Sequence, residues 1–176
     1  LYAKLISIST EHNKIRIEHY DAVLSPEHII QDVIISKAHQ ESRMDDVHME
    51  ICDDIPIAIS SLYLTKITEE IIDNALKYSR SGTSITVKTS HTDRMYAFEV
   101  CNTGRTLTPE QIAAIGAYTQ FDRQVYEQQG SGLGLSIVKK LMELHDGHFM
   151  IQSADGQTTV RLEIPVVSEE MQQELS

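Results

Sequence analysis

Three stretches of this chain combine residue types and spacings that could do chemistry. In QQGSGLGLSIVKKLMELHDG, Gly130, Gly132 and Gly134 stand at every second position directly before a strongly helical run. Glycine at a helix start costs stability, because it surrenders more backbone freedom on folding than any other residue. The usual return is close approach of backbone amides to something bulky. The first four N–H groups of a helix lack internal partners and lie at its positive end, which suits a phosphate. In EEIIDNALKYS, helical spacing brings Glu70, Asn74 and Lys77 within roughly a 60° arc, while Leu64, Ile71, Ile72 and Ala75 take another side. One helix therefore buries one stripe and presents a carboxylate, an amide and an ammonium along a second. Asparagine lowers helix propensity and caps nothing at this position, and its amide oxygen is a hard neutral ligand that suits Mg2+. In FEVCNTGRTLTPE, a strand-like run ends in Asn102-Thr103-Gly104. Gly104 permits a sharp turn there, and Asn102 offers both a donor and an acceptor.

Bulk properties narrow the field. The 176 residues suit one domain with a sizeable core, and the composition is that of an ordinary globular protein, 41% apolar and 23% charged. A net charge of −11, from 15 basic and 26 acidic residues, argues against nucleic acid as partner. The two cysteines, Cys52 and Cys101, show no metal-ligand spacing and read as reduced thiols in small core positions of a cytoplasmic domain. No apolar run approaches the ~20 residues that span a bilayer, so no direct membrane contact is expected of this fragment, although a full-length protein could be membrane-attached. The chain begins at Leu1 and reads as a piece of something longer.

The elements that must position these motifs follow from periodicity and punctuation. LYAKLISIST resembles the tail of a helix, and KIRIEHYDAV alternates as a strand would. SPEHIIQDVIISKAHQESR predicts a helix with Ser25 as cap, Pro26 at its first position and Ile29, Ile30, Val33 and Ile34 inward. DVHMEICDD predicts a half-buried strand through Val47, Met49 and Ile51, and SLYLTKITEEIIDNALKYS a second helix. SITVKTS and RMYAFEV form a hairpin; TPEQIAAI opens a short helix capped by Thr108. A polar stretch from Gly116 to Gly130 precedes the GLGLSIVKKLMELH helix. HFMIQSA and TTVRLEIPV then pair around Asp155-Gly156, and VSEEMQQELS is a solvated tail. Interspersed helices with two hairpins point to an α+β two-layer sandwich, a mixed and mostly antiparallel sheet with helices packed on one face. The domain is expected over residues 13–167, with 1–12 the end of an upstream helical segment and 168–176 the tail.

Each motif alone has a bland account: a solvated helix face, a turn, a flexible helix start. Their order along the chain resembles the ATP-binding catalytic domain of sensor histidine kinases, in the GHKL superfamily that also holds DNA gyrase and the heat-shock chaperone ATPases. EEIIDNALKYS resembles that family's N box, CNTG its first glycine box, QFDR the phenylalanine-containing part of its lid, and GSGLGLSIVKKLMELHDGH its second glycine box. The likeness runs from about Ser25 to Val166 and implies the Bergerat-type ATP-binding fold.

The resemblance also implies roles. Asn74 would coordinate Mg2+ bridging the phosphates of ATP, Lys77 would contact phosphate, and Tyr78 would lie near the adenine or ribose. Asn102 stands where the family usually has an aspartate accepting from the adenine amine, and Gly104 would let the backbone pass close to the base. Arg123 would reach the γ-phosphate, and amides around Gly130, Gly132, Leu133, Gly134 and Leu135 would hold the phosphate chain. Two departures stand out. The neutral Asn102 implies weaker nucleotide binding than a charged acceptor gives. Glu70, where many histidine kinases have asparagine, would act on a water as the gyrase-like ATPases do. The implied partners are a histidine phosphoacceptor and dimerisation domain of the same protein and a response regulator receiver domain. A degenerate nucleotide-binding docking module, a clamp-type ATPase and an anti-sigma-factor serine kinase are the rival readings. His12 reads as a surface residue, because Glu11 precedes it instead of following it, and His145 and His148 read as helix termination.

Overall fold

The computed structural model describes residues 22–115 and 133–167. Pro26 opens helix α1 (Pro26–Gln40), which turns Ile30, Ile34 and Ala38 fully inward while Ile29 and Val33 stay half-buried beside them. Ser25 precedes the helix but its side chain makes no capping bond, contrary to expectation; the fixed φ of Pro26 and its missing N–H already suit the first turn. A single 3-10 turn (Met44–Asp46) leads into β1 (Val47–Glu50), shorter than the alternation predicts. Beyond Glu50 the strand partner is lost. The Cys52 amide donates to the Thr89 hydroxyl at 2.9 Å, so a side chain takes the place of the next ladder bond.

Helix α2 (Ser61–Tyr78) is capped by the Ser60 hydroxyl, which accepts from Tyr63 N at 3.3 Å. Its apolar stripe, Leu64, Ile67, Ile71, Ile72 and Ala75, is buried, as the spacing predicts. Strands β2 (Ile85–His91) and β3 (Met95–Thr103) form the first hairpin. Helix α3 (Pro109–Ala114) carries a full capping box: Thr108 accepts from Gln111 N at 3.3 Å, and Gln111 Oε1 accepts from Thr108 N at 3.0 Å. Helix α4 (Leu133–Leu144) ends where Gly147 N returns to Met142 O at 2.9 Å, with Asp146 at φ 53. His145 belongs to this closure, its Nδ1 2.8 Å from Leu141 O, whereas His148 is the exposed first residue of the next strand. Strands β4 (His148–Ala154) and β5 (Gln157–Pro165) pair around Asp155-Gly156, both at positive φ, as a tight two-residue turn requires.

The sheet order is β1-β2-β3-β5-β4, with β1 parallel to β2 and every other pair antiparallel. One face is apolar: Ile85 and Val87 of β2, Tyr96, Phe98 and Val100 of β3, and Val160, Leu162 and Ile164 of β5 are buried with the helix stripes in one core. The opposite face is polar, and Arg161 sits there between Glu99 and Glu163 at 3.4 and 3.0 Å. The architecture is therefore the expected α+β two-layer sandwich. Cys101 lies half-buried on the polar face, because β3 alternation sends it away from Val100 and Asn102; it is not the core residue the strand pattern suggests. Cys52 is half-buried against the core edge, and both thiols are free. No helix among the described residues is long and apolar enough to cross a membrane.

Candidate functional site

The three motifs converge on α2. At the start of α4, a Cβ on Gly134 would collide with Glu70 Oε2 and come within 3.2 Å of Glu70 Cδ and 3.4 Å of Asn74 Nδ2. The missing side chain at 134 lets the first turn of α4 lie this close to the Glu70–Asn74 turn while Glu70 keeps its place. Behind this contact, Leu135, Val138, Leu141 and Met142 anchor α4 in the core.

Within α2 the polar stripe is ordered. Asn74 Nδ2 donates to Glu70 O at 2.6 Å, so the side-chain atom that remains to accept or coordinate is Oδ1. The Glu70 carboxylate is paired through Oε1 with Lys66 Nζ at 2.5 Å and is largely buried. Lys77 is exposed, its ammonium 5.2 Å from the centroid of the Tyr78 ring.

The C-terminus of α2 meets the end of β3. Ser79 and Gly104 form an antiparallel bridge, Arg105 N donates to Tyr78 O at 3.2 Å, and Gly104 N donates to Gly156 O at 2.8 Å. A Cβ on Gly104 would run into Tyr78 O and sit 2.9 Å from Ser79 Cα. The observed need for glycine at 104 is thus backbone against backbone. Two residues earlier, Asn102 closes the inward stripe of β3 and is only 6% exposed. Its Nδ2 has no hydrogen-bond partner among the described residues. A buried amide nitrogen left so costs about 1–3 kcal/mol. Its neighbours in the ladder are Ile85 and Thr158.

Sequence reasoning missed the residue that holds this corner together. Arg43, 8% exposed, donates from Nη1 to Leu76 O at 2.9 Å and Ser79 Oγ at 3.0 Å, and from Nη2 to Arg80 O at 2.7 Å, while Nε reaches Asp46 Oδ2 at 2.6 Å. The guanidinium fork satisfies the last carbonyls of α2 and fixes the turn that carries Lys77 and Tyr78. Asp46 is itself bound by Arg43 and by Gly82 N at 3.0 Å, and these bonds hold its carboxyl below the usual range. The Arg43-to-Asp46 spacing was visible in sequence, but the distant helix end it serves was not. Lys66 was missed too; its i,i+4 relation to Glu70 was the available signal.

Gly134 at the start of α4 and the Glu70–Asn74 turn of α2 therefore lie directly against one another. Arg123, Gly130 and Gly132 lie outside the described residues, as does the side chain of Leu133.

Residues 60–168, more than half of the chain, match the model of the histidine kinase-, DNA gyrase B- and HSP90-like ATPases. The chain belongs to this family. Among curated relatives of this ATPase domain, the histidine protein kinase DivJ of Caulobacter vibrioides is 34% identical over 106 residues, 59% of this chain and 18% of DivJ. The adaptive-response sensory kinase SasA of Synechococcus elongatus is 26% identical over 167 residues, 90% of this chain and 42% of SasA. This chain thus spans less than half the length of either. The catalytic domain of histidine kinase ThkA superposes with a TM-score of 0.69 at 18% identity, covering 84% of this chain and 95% of that domain. The mycobacterial sensor histidine kinase MprB gives 0.67 at 20% identity, covering 84% and 98%. The likenesses to solved structures show the fold, and residues 60–168 form an ATP-binding domain of the matched ATPase family.

Proposed function

We propose that this domain holds ATP·Mg2+ where the start of α4 meets the Glu70–Asn74 face of α2 and presents its γ-phosphoryl group to a histidine on a separate phosphoacceptor and dimerisation domain. A response regulator receiver domain would take the phosphoryl group onward, and the site of action would be the cytoplasm. The observation that carries this reading is the apposition of Gly134 with Glu70 and Asn74, which sets helix-start amides beside an oxygen-bearing stripe.

The donor set fits a hard cation and a polyphosphate. Asn74 Oδ1 is a neutral oxygen ligand, its amide oriented by the bond to Glu70 O. When bound, Mg2+ would neutralise phosphate charge. Lys77 would add positive charge at the exposed rim, and Arg123 would supply it at the γ-phosphate. The amides of Gly130, Gly132, Leu133, Gly134 and Leu135 would hold the chain of phosphates. Tyr78 would flank the ribose or base, and Asn102 would meet the base edge where β3 ends. In the transfer, an imidazole nitrogen forms a bond to the γ-phosphorus as the bond to the β–γ bridging oxygen breaks. ADP leaves with that electron pair. Such a reaction needs positioning and charge neutralisation more than covalent chemistry from the protein. Glu70, steadied by Lys66, would polarise a water and give slow hydrolysis beside transfer.

The test is a calorimetric titration with a non-hydrolysable ATP analogue, with and without Mg2+, on the wild type and on Asn74→Ala. The expected result is Mg2+-dependent binding that Asn74→Ala abolishes while the circular dichroism spectrum stays unchanged. Binding indifferent to both Mg2+ and Asn74 would overturn the assignment. Labelled γ-phosphate should then pass to a supplied acceptor-histidine domain; binding without transfer would reduce the domain to a docking module.

A further inference from the structure

The inward stripe of β3 is apolar through Tyr96, Phe98 and Val100, then changes character at Asn102. A fold could close that stripe with an apolar residue at no cost in desolvation. Here it closes with an amide whose nitrogen finds no partner among the described residues. The adjacent polar side chain, Thr158, makes no bond to it. Thr158 Oγ1 is 2.7 Å from Ser153 Oγ, and Ser153 Oγ in turn accepts from Leu107 N at 2.8 Å, so that hydroxyl pair is engaged with itself and with the loop before α3. The orphan is a hydrogen-bond donor, and a donor calls for an acceptor on whatever meets it.

A carboxylate at this position would offer acceptors only. A carboxamide offers one acceptor and one donor side by side, and half a turn about its last torsion exchanges the two without changing its shape. The edge of a 6-aminopurine presents a donor at the exocyclic nitrogen beside an acceptor at N1. The edge of a 6-oxopurine presents the reverse, an acceptor at O6 beside a donor at N1. The amide is complementary to both edges, and the carboxylate to neither acceptor.

Resting on the nucleotide site proposed above, we propose that Asn102 makes this domain a reader of purine nucleoside triphosphates in general, 6-oxopurines included, instead of one restricted to adenine. The Asn102 oxygen accepts from a 6-amino group, and the otherwise unpartnered nitrogen donates to a 6-oxo group.

Inosine triphosphate is the discriminating probe, since it exchanges the 6-amino for a 6-oxo function and adds no 2-amino group. Calorimetric titrations of the intact chain with non-hydrolysable ATP and ITP analogues, in Mg2+, should give dissociation constants within about tenfold of one another. Asn102→Asp should widen that ratio by at least about tenfold in favour of ATP, because the carboxylate repels O6 and loses the donor. A wild-type preference for ATP above about tenfold, or a ratio unmoved by Asn102→Asp, would overturn the proposal and leave nucleotide binding standing. Should Asn102→Asp fail to fold, the wild-type ratio decides alone. Binding of neither analogue would remove the site itself, and this inference with it.

Discussion

The carboxylate of Glu70 occupies the space that a side chain at residue 134 would need. The obstacle is the far end of a flexible side chain, so an alanine there can be accommodated if Glu70 swings aside. Gly134→Ala should therefore leave the fold intact, and the better helix propensity of alanine should raise stability by about 0.5–1 kcal/mol. Nucleotide affinity should fall at least about tenfold, because the added methyl and the displaced Glu70 carboxylate would crowd the proposed phosphate site. Thermal melts paired with titration of an ATP analogue check both halves, and unchanged affinity would detach the α4 start from the binding site.

Gly104 should behave in the opposite way. What a Cβ would meet there is backbone, Tyr78 O and Ser79 Cα, which cannot rotate out of the way. Gly104→Ala should cost about 3 kcal/mol through overpacking and open the Ser79–Gly104 bridge. A drop in the urea midpoint without a change in slope would confirm it; a midpoint within error of the wild type would show that the two strand ends can separate freely.

Arg43→Lys is a sharper probe of the α2 terminus than Arg43→Ala. Lysine keeps the charge but cannot reproduce a fork that reaches Leu76 O, Ser79 Oγ, Arg80 O and Asp46 together. Loss of about 2–3 kcal/mol is expected, from several buried acceptors left unmade. Nucleotide affinity should weaken along with it, since Lys77 and Tyr78 belong to the turn that loosens. Asp46 adds a pH signature of known sign. Arg43 and Gly82 lower its folded pKa, so its contribution is present above the ordinary carboxylate range and is lost as pH falls through the folded value. Arg43→Lys should flatten that acid limb in melts recorded across pH.

Tyr96 governs the alkaline limb. It is buried at 1% exposure with its hydroxyl unpartnered among the described residues, and burial pushes the phenol up to about 12, with the hydroxyl of Thr89, its diagonal neighbour across the ladder, pulling the other way. A folded value above the unfolded one means full stability below pH 10 and loss between about pH 10 and 12. The slope is about 1.4 kcal/mol per pH unit. Tyr96→Phe should abolish this slope at little cost near neutrality, because the phenol oxygen has no partner within hydrogen-bond geometry among the described residues. Denaturation followed by circular dichroism between pH 9 and 12 decides it, and an identical slope in the variant would place the titrating group elsewhere.

How far these features could be read in advance depended on the range of the forces behind them. The stripe of α2, the capping box of α3 and the Asp155-Gly156 turn are local, and periodicity or spacing within a few residues declares them. The meeting of Gly134 with Asn74 was legible only through the ordered resemblance of three motifs, since 60 residues of chain carry no spacing rule. The half-burial of Cys101 escaped because alternation names two faces without saying which is wet. Arg43 escaped for a different reason: its partners are backbone carbonyls, and backbone carbonyls leave no mark in a sequence.

In α2, the buried Ile71, Ile72 and Ala75 are interleaved with Glu70 and Asn74 over six consecutive positions. The atoms proposed to face the nucleotide and the hydrophobic interior thus share one continuous helix, and the two should melt together. Nucleotide binding at the proposed site should then raise the unfolding free energy of the entire sandwich by RT ln(1 + [L]/Kd), about 2.7 kcal/mol at a hundredfold excess over Kd. A cell rich in nucleotide would, on that footing, act as a chemical chaperone for this domain.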